Sequence, residues 1–267
     1  MITQRKHLVW AVLITITAFM LILFQGCNLL KKRYPKTFSK EYTFSSENYK
    51  KLSVENQNGN VSIRKSDKEG IIIIKAEITK NLTKKELEQP VEEIMLNIDT
   101  TGNTIYISDE SPKPGKGFNF KVDFGTETEF TIYVPADISI EIEGTNGKVD
   151  LRDFSNDVTA ELTNGNIKAK NIYGTLKFTL TNGNITTELD STKGINFETT
   201  NGSIKLEVGS NFSGNFDLST RNGKIDYRDL DFKNVSEKKK EVKGTLGSGD
   251  TEVKIETTNG KITIDKK

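Results

Sequence analysis

The residues of this chain best suited to chemistry lie in two similar stretches, DLRD at residues 150–153 and DYRD at residues 226–229. Each stretch follows an Asn-Gly-Lys tripeptide. The pair Asp150 and Arg152 and the pair Asp226 and Arg228 therefore occur the same number of residues after an Asn-Gly dipeptide. Paired acids can cleave glycosidic bonds, and repeated exposed acids can bind calcium or orient a glycan. Because aspartate is also a frequent turn former, the sequence leaves both interpretations open.

Other kinds of active site are nearly excluded by composition. The 267 residues include one His and one Cys, so His-based acid–base catalysis and Cys/His metal sites have almost no residues to use. The sequence contains no phosphate-binding loop and no nucleophile elbow. A formal net charge of +1 creates no overall field that favours nucleic acid. We therefore predict no catalytic residue, no metal, no cofactor and no nucleic-acid partner.

The first 27 residues have the pattern of an export signal. Arg5 and Lys6 form a short positive region, residues 8–24 carry no charge, and Gly26 and Cys27 end the run. A Cys directly after a Gly resembles the lipobox of bacterial lipoproteins. That resemblance implies cleavage before Cys27 and acylation of the Cys with a lipid such as palmitate. Two alternatives remain, since 17 uncharged residues are at the short limit for an uncleaved membrane anchor and Cys27 could be a free thiol.

This pattern divides the chain into four parts. Residues 1–26 are expected to be a signal peptide, and residues 27–40 the lipidated Cys and a tether. Basic residues of that tether would be attracted to anionic headgroups, or would form a solvated linker. Residues 41–135 are expected to be an irregular N-terminal β region with a candidate short helix over residues 83–94. Residues 136–267 are expected to be a regular β-repeat region.

The repeat is built on the dipeptide Asn-Gly, which occurs seven times. From the second copy to the sixth the steps are 18, 18, 19 and 21 residues, and the last step is 37. Such a fixed period is the signature of a repeat architecture. The copies are Asn58-Gly59, Asn146-Gly147, Asn164-Gly165, Asn182-Gly183, Asn201-Gly202, Asn222-Gly223 and Asn259-Gly260.

Three columns of apolar residues keep a fixed offset from these asparagines. Three residues after each Asn stand Val61, Val149, Ile167, Ile185, Ile204, Ile225 and Ile262. Four residues before stand Val54, Ile142, Ala160, Phe178, Phe197, Leu218 and Ile255, and six before stand Leu52, Ile140, Val158, Leu176, Ile195, Phe216 and Val253. Polar residues fill the positions between, which is the alternation of half-buried strands.

Two all-β architectures fit this pattern. Asn-Gly between alternating strands is a strong hairpin signal, which would give an antiparallel sandwich or meander. In a β-solenoid each unit of about 20 residues would instead form one coil that stacks on its neighbours. The constant offset of the apolar columns favours the solenoid, because stacked coils need matching positions. Asn and Gly would suit its turns because both tolerate positive φ.

Outside the regular units the pattern is more varied. A hairpin is expected around the TGN triplet at residues 101–103. Alternating apolar residues at 118–124 and 130–134 predict two strands that bury a shared face, with a ligand or membrane contact as the alternative. The charged run at residues 232–243 predicts a solvated loop. The GSGD sequence at residues 247–250 replaces a missing Asn-Gly, and the final unit is then expected to close the stack.

Residues 41–267 resemble the bacterial "putative adhesin" family of β-strand-repeat domains, whose function is largely unknown. The resemblance rests on Val134-Pro135-Ala136, on the repeats LTNGNIKA, LTNGNITT and TTNGSIKL, and on the C-terminal GSGDTEVKIETTNGKITI. It implies surface attachment or an envelope role, with some relatives linked to sensing of envelope stress. It provides no catalytic residues to carry over.

Three functions follow as hypotheses. The favoured one is a non-enzymatic, lipid-anchored protein of the cell envelope that presents a flat, polar, adhesin-like face to a protein or glycan. The second is an envelope-stress sensor or scaffold that acts through a protein partner. The third and weakest is a carbohydrate-active enzyme that uses Asp150 or Asp226.

Overall fold

The computed structural model describes residues 32–88, 96–109 and 126–267. The export segment, Cys27 and the apolar stripe at residues 118–124 lie outside the described residues. Within those three ranges no helix is both long and apolar enough to cross a membrane.

The described residues form nineteen strands and one short helix. The strands of the first half are β1 (Arg33–Ser45), β2 (Lys51–Asn58), β3 (Val61–Lys65), β4 (Ile71–Thr83), β5 (Asn97–Thr101), β6 (Thr104–Ser108), β7 (Thr126–Val134), β8 (Ser139–Phe154) and β9 (Val158–Ile172). Those of the second half are β10 (Thr175–Asn182), β11 (Ile185–Leu189), β12 (Gly194–Asn201), β13 (Ile204–Val208), β14 (Gly214–Thr220), β15 (Lys224–Arg228), β16 (Lys233–Lys238), β17 (Glu241–Leu246), β18 (Glu252–Asn259) and β19 (Lys261–Lys266). The helix α1 spans Lys84–Leu87.

Each Asn-Gly unit forms one coil, with a longer strand before the turn and a shorter strand after it; in β8 and β9 the two parts join as one strand that runs through the turn. Neighbouring coils pair in parallel and in exact correspondence, so that Asn182 lies beside Asn164 on one side and Asn201 on the other. Parallel pairing between equivalent residues is what a solenoid requires and what a hairpin meander lacks. The β-solenoid prediction is therefore confirmed, and the antiparallel alternative is wrong for the array of Asn-Gly coils.

The three apolar columns meet inside the coils. The two columns before the turn point inward from the longer strands, and the column after it points inward from the shorter strands, so the core lies between two parallel β faces. Phe178 and Phe197 show how well the columns register, since their rings stack with centroids 4.9 Å apart and planes at 1°. Alternation along each strand and pairing between coils together place one continuous core along the stack.

The order of coils in space differs from their order in the chain. The last unit, β18 and β19, pairs with β12 and β13 on one side and with β14 and β15 on the other. The expectation that this unit closes the stack is therefore wrong. The physical reason is that β17 pairs antiparallel with β14 and covers its other edge, which leaves the position between the fifth and sixth units for the last one.

The charged run at residues 232–243 is not a loop. It contributes β16 and the start of β17, which form an antiparallel hairpin. All six side chains of β16 are exposed, so a charge-rich sequence is compatible with an edge strand. Phe232 precedes this hairpin and packs its ring against Phe216 at 5.0 Å and Tyr227 at 5.1 Å, which covers the apolar end of the core.

The first Asn-Gly unit is also placed between units that are distant from it in sequence. β2 pairs in parallel with both β6 and β8, and β3 pairs with both β7 and β8. The hairpin predicted around residues 101–103 is confirmed, because β5 and β6 pair antiparallel. In the sheet face formed by the longer strands, the parallel strands therefore end at an antiparallel strand on each side, β5 beside β6 and β17 beside β14.

The described residues divide into two compact units, one that includes residues 32–36 and 80–88 and one that includes residues 37–79, 96–109 and 126–267. The larger unit contains all the coils. In the smaller one, α1 is a single turn closed by a capping box between Thr83 and Glu86. The helix predicted over residues 83–94 thus ends at Leu87. The expected tether at residues 27–40 includes Arg33–Lys40, which belongs to β1.

Candidate functional site

The asparagines of the Asn-Gly turns form a continuous ladder of side chains along the stack. Six of the seven side-chain amides donate to the amide oxygen of an asparagine in the neighbouring coil, at distances of 2.7–3.1 Å. In spatial order the ladder runs Asn58, Asn146, Asn164, Asn182, Asn201, Asn259 and Asn222. These side chains bind one another, and they are therefore part of the scaffold.

The glycines of the same turns are required by the neighbouring coil. A Cβ atom added to Gly183 would lie 1.5 Å from the carbonyl oxygen of Gly165, and one added to Gly202 would lie 1.8 Å from that of Gly183. Gly183 has a φ of +141°, whereas Gly202 is not among the positive-φ residues. None of the seven ladder asparagines has positive φ either. Close stacking, rather than turn conformation alone, therefore explains the dipeptide.

The two DxRD stretches form ion pairs on the outer face of the shorter strands. Arg152 donates to both carboxylate oxygens of Asp150, at 2.9 and 3.1 Å, and Arg64 lies 3.4 Å from the same carboxylate. Asp226 lies 2.8 Å from both Lys224 and Lys261. The last acids of the two stretches, Asp153 and Asp229, have positive φ values of 68° and 56°. This left-handed backbone conformation is one that aspartate adopts in turns.

The electrostatics of these acids do not suit the general acid of a sugar-cleaving site. Hydrogen bonds from Lys224 and Lys261 lower the pKa of Asp226 to about 2. At Asp150, burial raises the pKa, but the hydrogen bond and charge of Arg152 and the charge of Arg64 outweigh it and lower the pKa overall. A glycosidase needs a general acid whose pKa is raised, so neither carboxyl group fits that role. Among residues 32–88, 96–109 and 126–267, no cluster of acids, His or Cys is arranged to hold a metal.

A shallow groove on the outer face of the longer strands is the best candidate for a binding site. It has a volume of about 470 Å³ and crosses β2, β8, β9 and β10. Nine of its eleven lining residues have polar side chains. The residues are Glu55, Asn56, Gln57, Glu143, Gly144, Thr145, Glu161, Leu162, Thr163, Thr179 and Thr181.

A row of glutamates crosses the groove. Glu55 pairs in register with Glu143, and Glu143 with Glu161, so the three side chains stand on adjacent strands whose backbones lie about 4.8 Å apart. Lys177 lies 3.5 Å from Glu161, but neither Glu55 nor Glu143 has an ion-pair partner in the described part of the chain. Like charges directly opposite one another destabilise a sheet, so this row favours a ligand that donates hydrogen bonds or carries positive charge.

A row of hydroxyl groups runs beside the glutamates. Thr145, Thr163 and Thr181 each precede a ladder asparagine by one residue, and all three are exposed. Their side chains make no hydrogen bond to another described residue, and each hydroxyl can both donate and accept. The groove thus presents acceptors in one row and mixed donors and acceptors in the next, at the spacing of the strands.

Asn56 is the buried polar residue of this lining. Its side chain is 2% exposed, and its Nδ2 donates to the carbonyl oxygens of Gly59 and Thr128, at 3.0 Å each. Its Oδ1 accepts no hydrogen bond from the described residues. The neighbouring strand has Gly144 at the matching position, so no side chain of β8 reaches this oxygen. A buried acceptor without a donor is a place where water binds.

Sequence reasoning identified Glu161 and Thr179 as outward polar positions but did not group them with Glu55 and Glu143. The available signal was the column three residues before each ladder Asn, where Glu55, Glu143, Glu161, Glu198 and Glu256 recur. Recognising a site required knowing that the unit containing Glu55 adjoins that of Glu143, across 88 residues of chain.

Comparison with known proteins gives a family and a fold. The family profile described as Toastrack DUF4097 matches residues 49–188 and again residues 139–265. A crystal structure of a "putative cell adhesion protein" from Clostridium sporogenes is 14% identical, with a TM-score of 0.52, and the match covers 87% of this chain and 100% of that one. A "putative adhesin" from Bacteroides fragilis is 13% identical, with a TM-score of 0.33 and coverage of 86% and 97%. The comparison with curated proteins found no match.

Proposed function

The chain belongs to the Toastrack DUF4097 family, and we propose that it is a non-enzymatic, adhesin-like module of the cell envelope that binds a glycan in the Glu–Thr groove. The observation that carries this proposal is the pair of polar rows that cross β2, β8, β9 and β10. Glycans present hydroxyl groups that both donate and accept hydrogen bonds. Carboxylates and threonine hydroxyls are matching partners for them.

The size and form of the groove support a saccharide segment. About 470 Å³ lies within the range of small-molecule sites, and the open form admits a chain that continues beyond the groove. Glu143 and Glu161 provide acceptors on neighbouring strands, and Thr145 and Thr163 provide hydroxyls beside them. Equal spacing along the stack allows successive saccharide units to make similar contacts, which increases overall affinity.

The absence of catalysis is part of the proposal. The two acids considered for sugar cleavage, Asp150 and Asp226, are ion-paired and have lowered pKa values. We therefore propose that the Glu–Thr groove binds a saccharide without cleaving it.

Export and lipid anchoring complete the proposed function. They are supported by the N-terminal sequence, in which an uncharged run ends at Gly26-Cys27. A diacylated or palmitoylated Cys27 would hold the coils at the membrane surface, where a glycan-binding face can reach envelope polysaccharides.

The test is glycan binding by the full-length protein in detergent, measured on an array of bacterial and host polysaccharides. We expect the double variant Glu143→Gln/Glu161→Gln to bind at least about tenfold more weakly than the unaltered chain, because charge-assisted hydrogen bonds are lost. The matched control is Glu198→Gln/Glu256→Gln, which changes the same column outside the groove. No glycan binding by the unaltered chain, or equal loss in both variants, would overturn the proposal.

A further inference from the structure

We propose that Asn222-Gly223 is an intrinsic modification site, at which the asparagine deamidates spontaneously while the stack protects the interior Asn-Gly steps. The inference rests on the position of this turn at one end of the asparagine ladder. It is independent of what the groove binds.

The chemistry uses only the dipeptide and water. The backbone nitrogen of the glycine attacks Cγ of the preceding asparagine, the bond from Cγ to the side-chain nitrogen breaks, and ammonia leaves with the proton of the glycine amide. The resulting succinimide is then opened by water to aspartate or isoaspartate. The step needs a glycine nitrogen that is free to lose its proton and an asparagine side chain that is free to rotate towards it.

Turns inside the stack lack both freedoms. Asn182 donates to Asn164 at 2.9 Å and accepts from Asn201 at 2.9 Å, so its amide is held from both sides. The N–H group of Gly183 donates to the carbonyl oxygen of Asn201 at 2.9 Å. Gly59 and Gly202 make the same bond to the carbonyl oxygens of Asn146 and Asn259. Attack at these turns would first require these hydrogen bonds to break.

The turn at Asn222 lacks these restraints because no Asn-Gly coil follows it. Asn222 Nδ2 donates to Asn259, but its Oδ1 accepts nothing from the described residues. The N–H group of Gly223 likewise has no acceptor among them. Lys240 binds the carbonyl oxygen of Gly223, at 2.5 Å, and leaves the nitrogen free. Asn222 is also exposed to the water that opens the succinimide.

Two other turns have only one of the two features that Asn222-Gly223 combines. At the opposite end of the ladder, Asn58 is held on one side only, but the Gly59 N–H is bonded to Asn146. At Asn259 the Gly260 N–H has no acceptor in the described residues, but the Asn259 side chain is held on both sides. Asn222-Gly223 alone combines a free glycine N–H with a side chain held on one side, so we expect it to react fastest.

The test is incubation of the native full-length protein at mildly alkaline pH, followed by mass-spectrometric mapping of each Asn-Gly peptide. We expect conversion at Asn222 to be about a hundredfold faster than at Asn182, since two further hydrogen bonds must break at Asn182 and each costs roughly a factor of ten in rate. In urea, where the ladder is absent, the rates at both sites should become similar. Equal rates in the native protein, or faster conversion at Asn182, would contradict the inference.

A second readout is the labelling of isoaspartate with a methyltransferase after the same incubation. Asn222→Ser removes the reacting amide, and most of the label should disappear with it. The control is Asn58→Ser at the other end of the ladder, which should leave the label unchanged. A label that survives in an Asn222→Ser protein with the urea unfolding of the unaltered chain would overturn the assignment. If that variant is less stable, peptide mapping of the unaltered native chain decides the question.

Discussion

Asn201 and Gly202 show that both residues of a turn are in contact with neighbouring coils. The side chain of Asn201 donates to Asn182 and accepts from Asn259, while the carbonyl oxygen of Gly183 fills the space that a Cβ of residue 202 would need. Neither residue needs positive φ. The same pair of residue types therefore serves stacking at this turn, whereas in a hairpin it would serve the turn itself.

A methyl group at Gly202 is therefore expected to be strongly destabilising. Its Cβ would lie 1.8 Å from the Gly183 carbonyl oxygen, so Gly202→Ala should reduce the free energy of unfolding by about 3 kcal/mol. The control in the same coil is Gly194→Ala, whose Cβ meets no atom closer than 3.4 Å and should change stability by less than about 1 kcal/mol. Urea unfolding measures both, and equal effects would show that stacking is not the reason for glycine.

The ion pairs of Asp226 predict a pH dependence. Its folded-state pKa of about 2 lies below the ordinary value of 3.8, so its contribution to stability is present above pH 3.8 and is lost as the pH falls towards 2. Lys224→Met with Lys261→Met should return the pKa of Asp226 towards 3.8 in an NMR titration. Lys254→Met, which removes a lysine paired with Glu256, is the control and should leave that pKa unchanged. An unaltered chain that titrates near 3.8 would contradict the prediction.

At the scale of elements, the order of strands is the main departure from what the repeat suggests. β18 pairs with β12 and β14, so the last unit lies between the fifth and the sixth, and β2 pairs with β6 and β8, which lie 46 or more residues further along the chain. Every coil presents the same apolar columns, so any coil can stack on any other. The antiparallel strands β5 and β17 then limit where a unit can be added.

Removal of the last unit tests this order. A chain that ends at Asp250 lacks β18 and β19, and with them the parallel partners of β14 and β15. We expect amide protection in β14 and β15 to fall at least about tenfold in hydrogen exchange, while β8 and β9 remain protected. The control is removal of Lys267 alone, which should leave β14 unaffected. Retained protection in β14 would mean that the last unit is only a cap.

At the scale of the whole molecule, several coils of the larger unit together build the groove proposed to bind a glycan. The groove crosses four strands, and its three glutamates come from three different coils. No single unit can form the groove, so the proposed binding would depend on the assembled stack. The proposed lipid at Cys27 would add the second property of an envelope adhesin, attachment to a membrane.

Attachment is tested by metabolic labelling with palmitate. Cys27→Ala should carry no label and should appear in the soluble fraction, because the acylated residue is the expected anchor. Glu143→Gln leaves the N-terminal segment unchanged and should be labelled like the unaltered chain. Undiminished membrane association of Cys27→Ala without label would instead indicate that residues 8–24 are an uncleaved anchor.

The amino-acid sequence by itself determined the period, the apolar columns and the hairpin at β5 and β6. Val158, Leu176 and Ile195 keep one offset from their asparagines, and strand alternation turns that offset into a buried column. These features are local or periodic, so they are visible without knowing which segments touch.

Only the tertiary structure decided which coils are neighbours, and with that what each polar residue does. The insertion of β18 between β12 and β14, the meeting of Glu55 with Glu143, and the open end of the ladder at Asn222 all depend on pairing between distant segments. Because all coils share one register, the sequence permits several stacking orders. The antiparallel strands that cover β6 and β14 select one of them by occupying the outer edges.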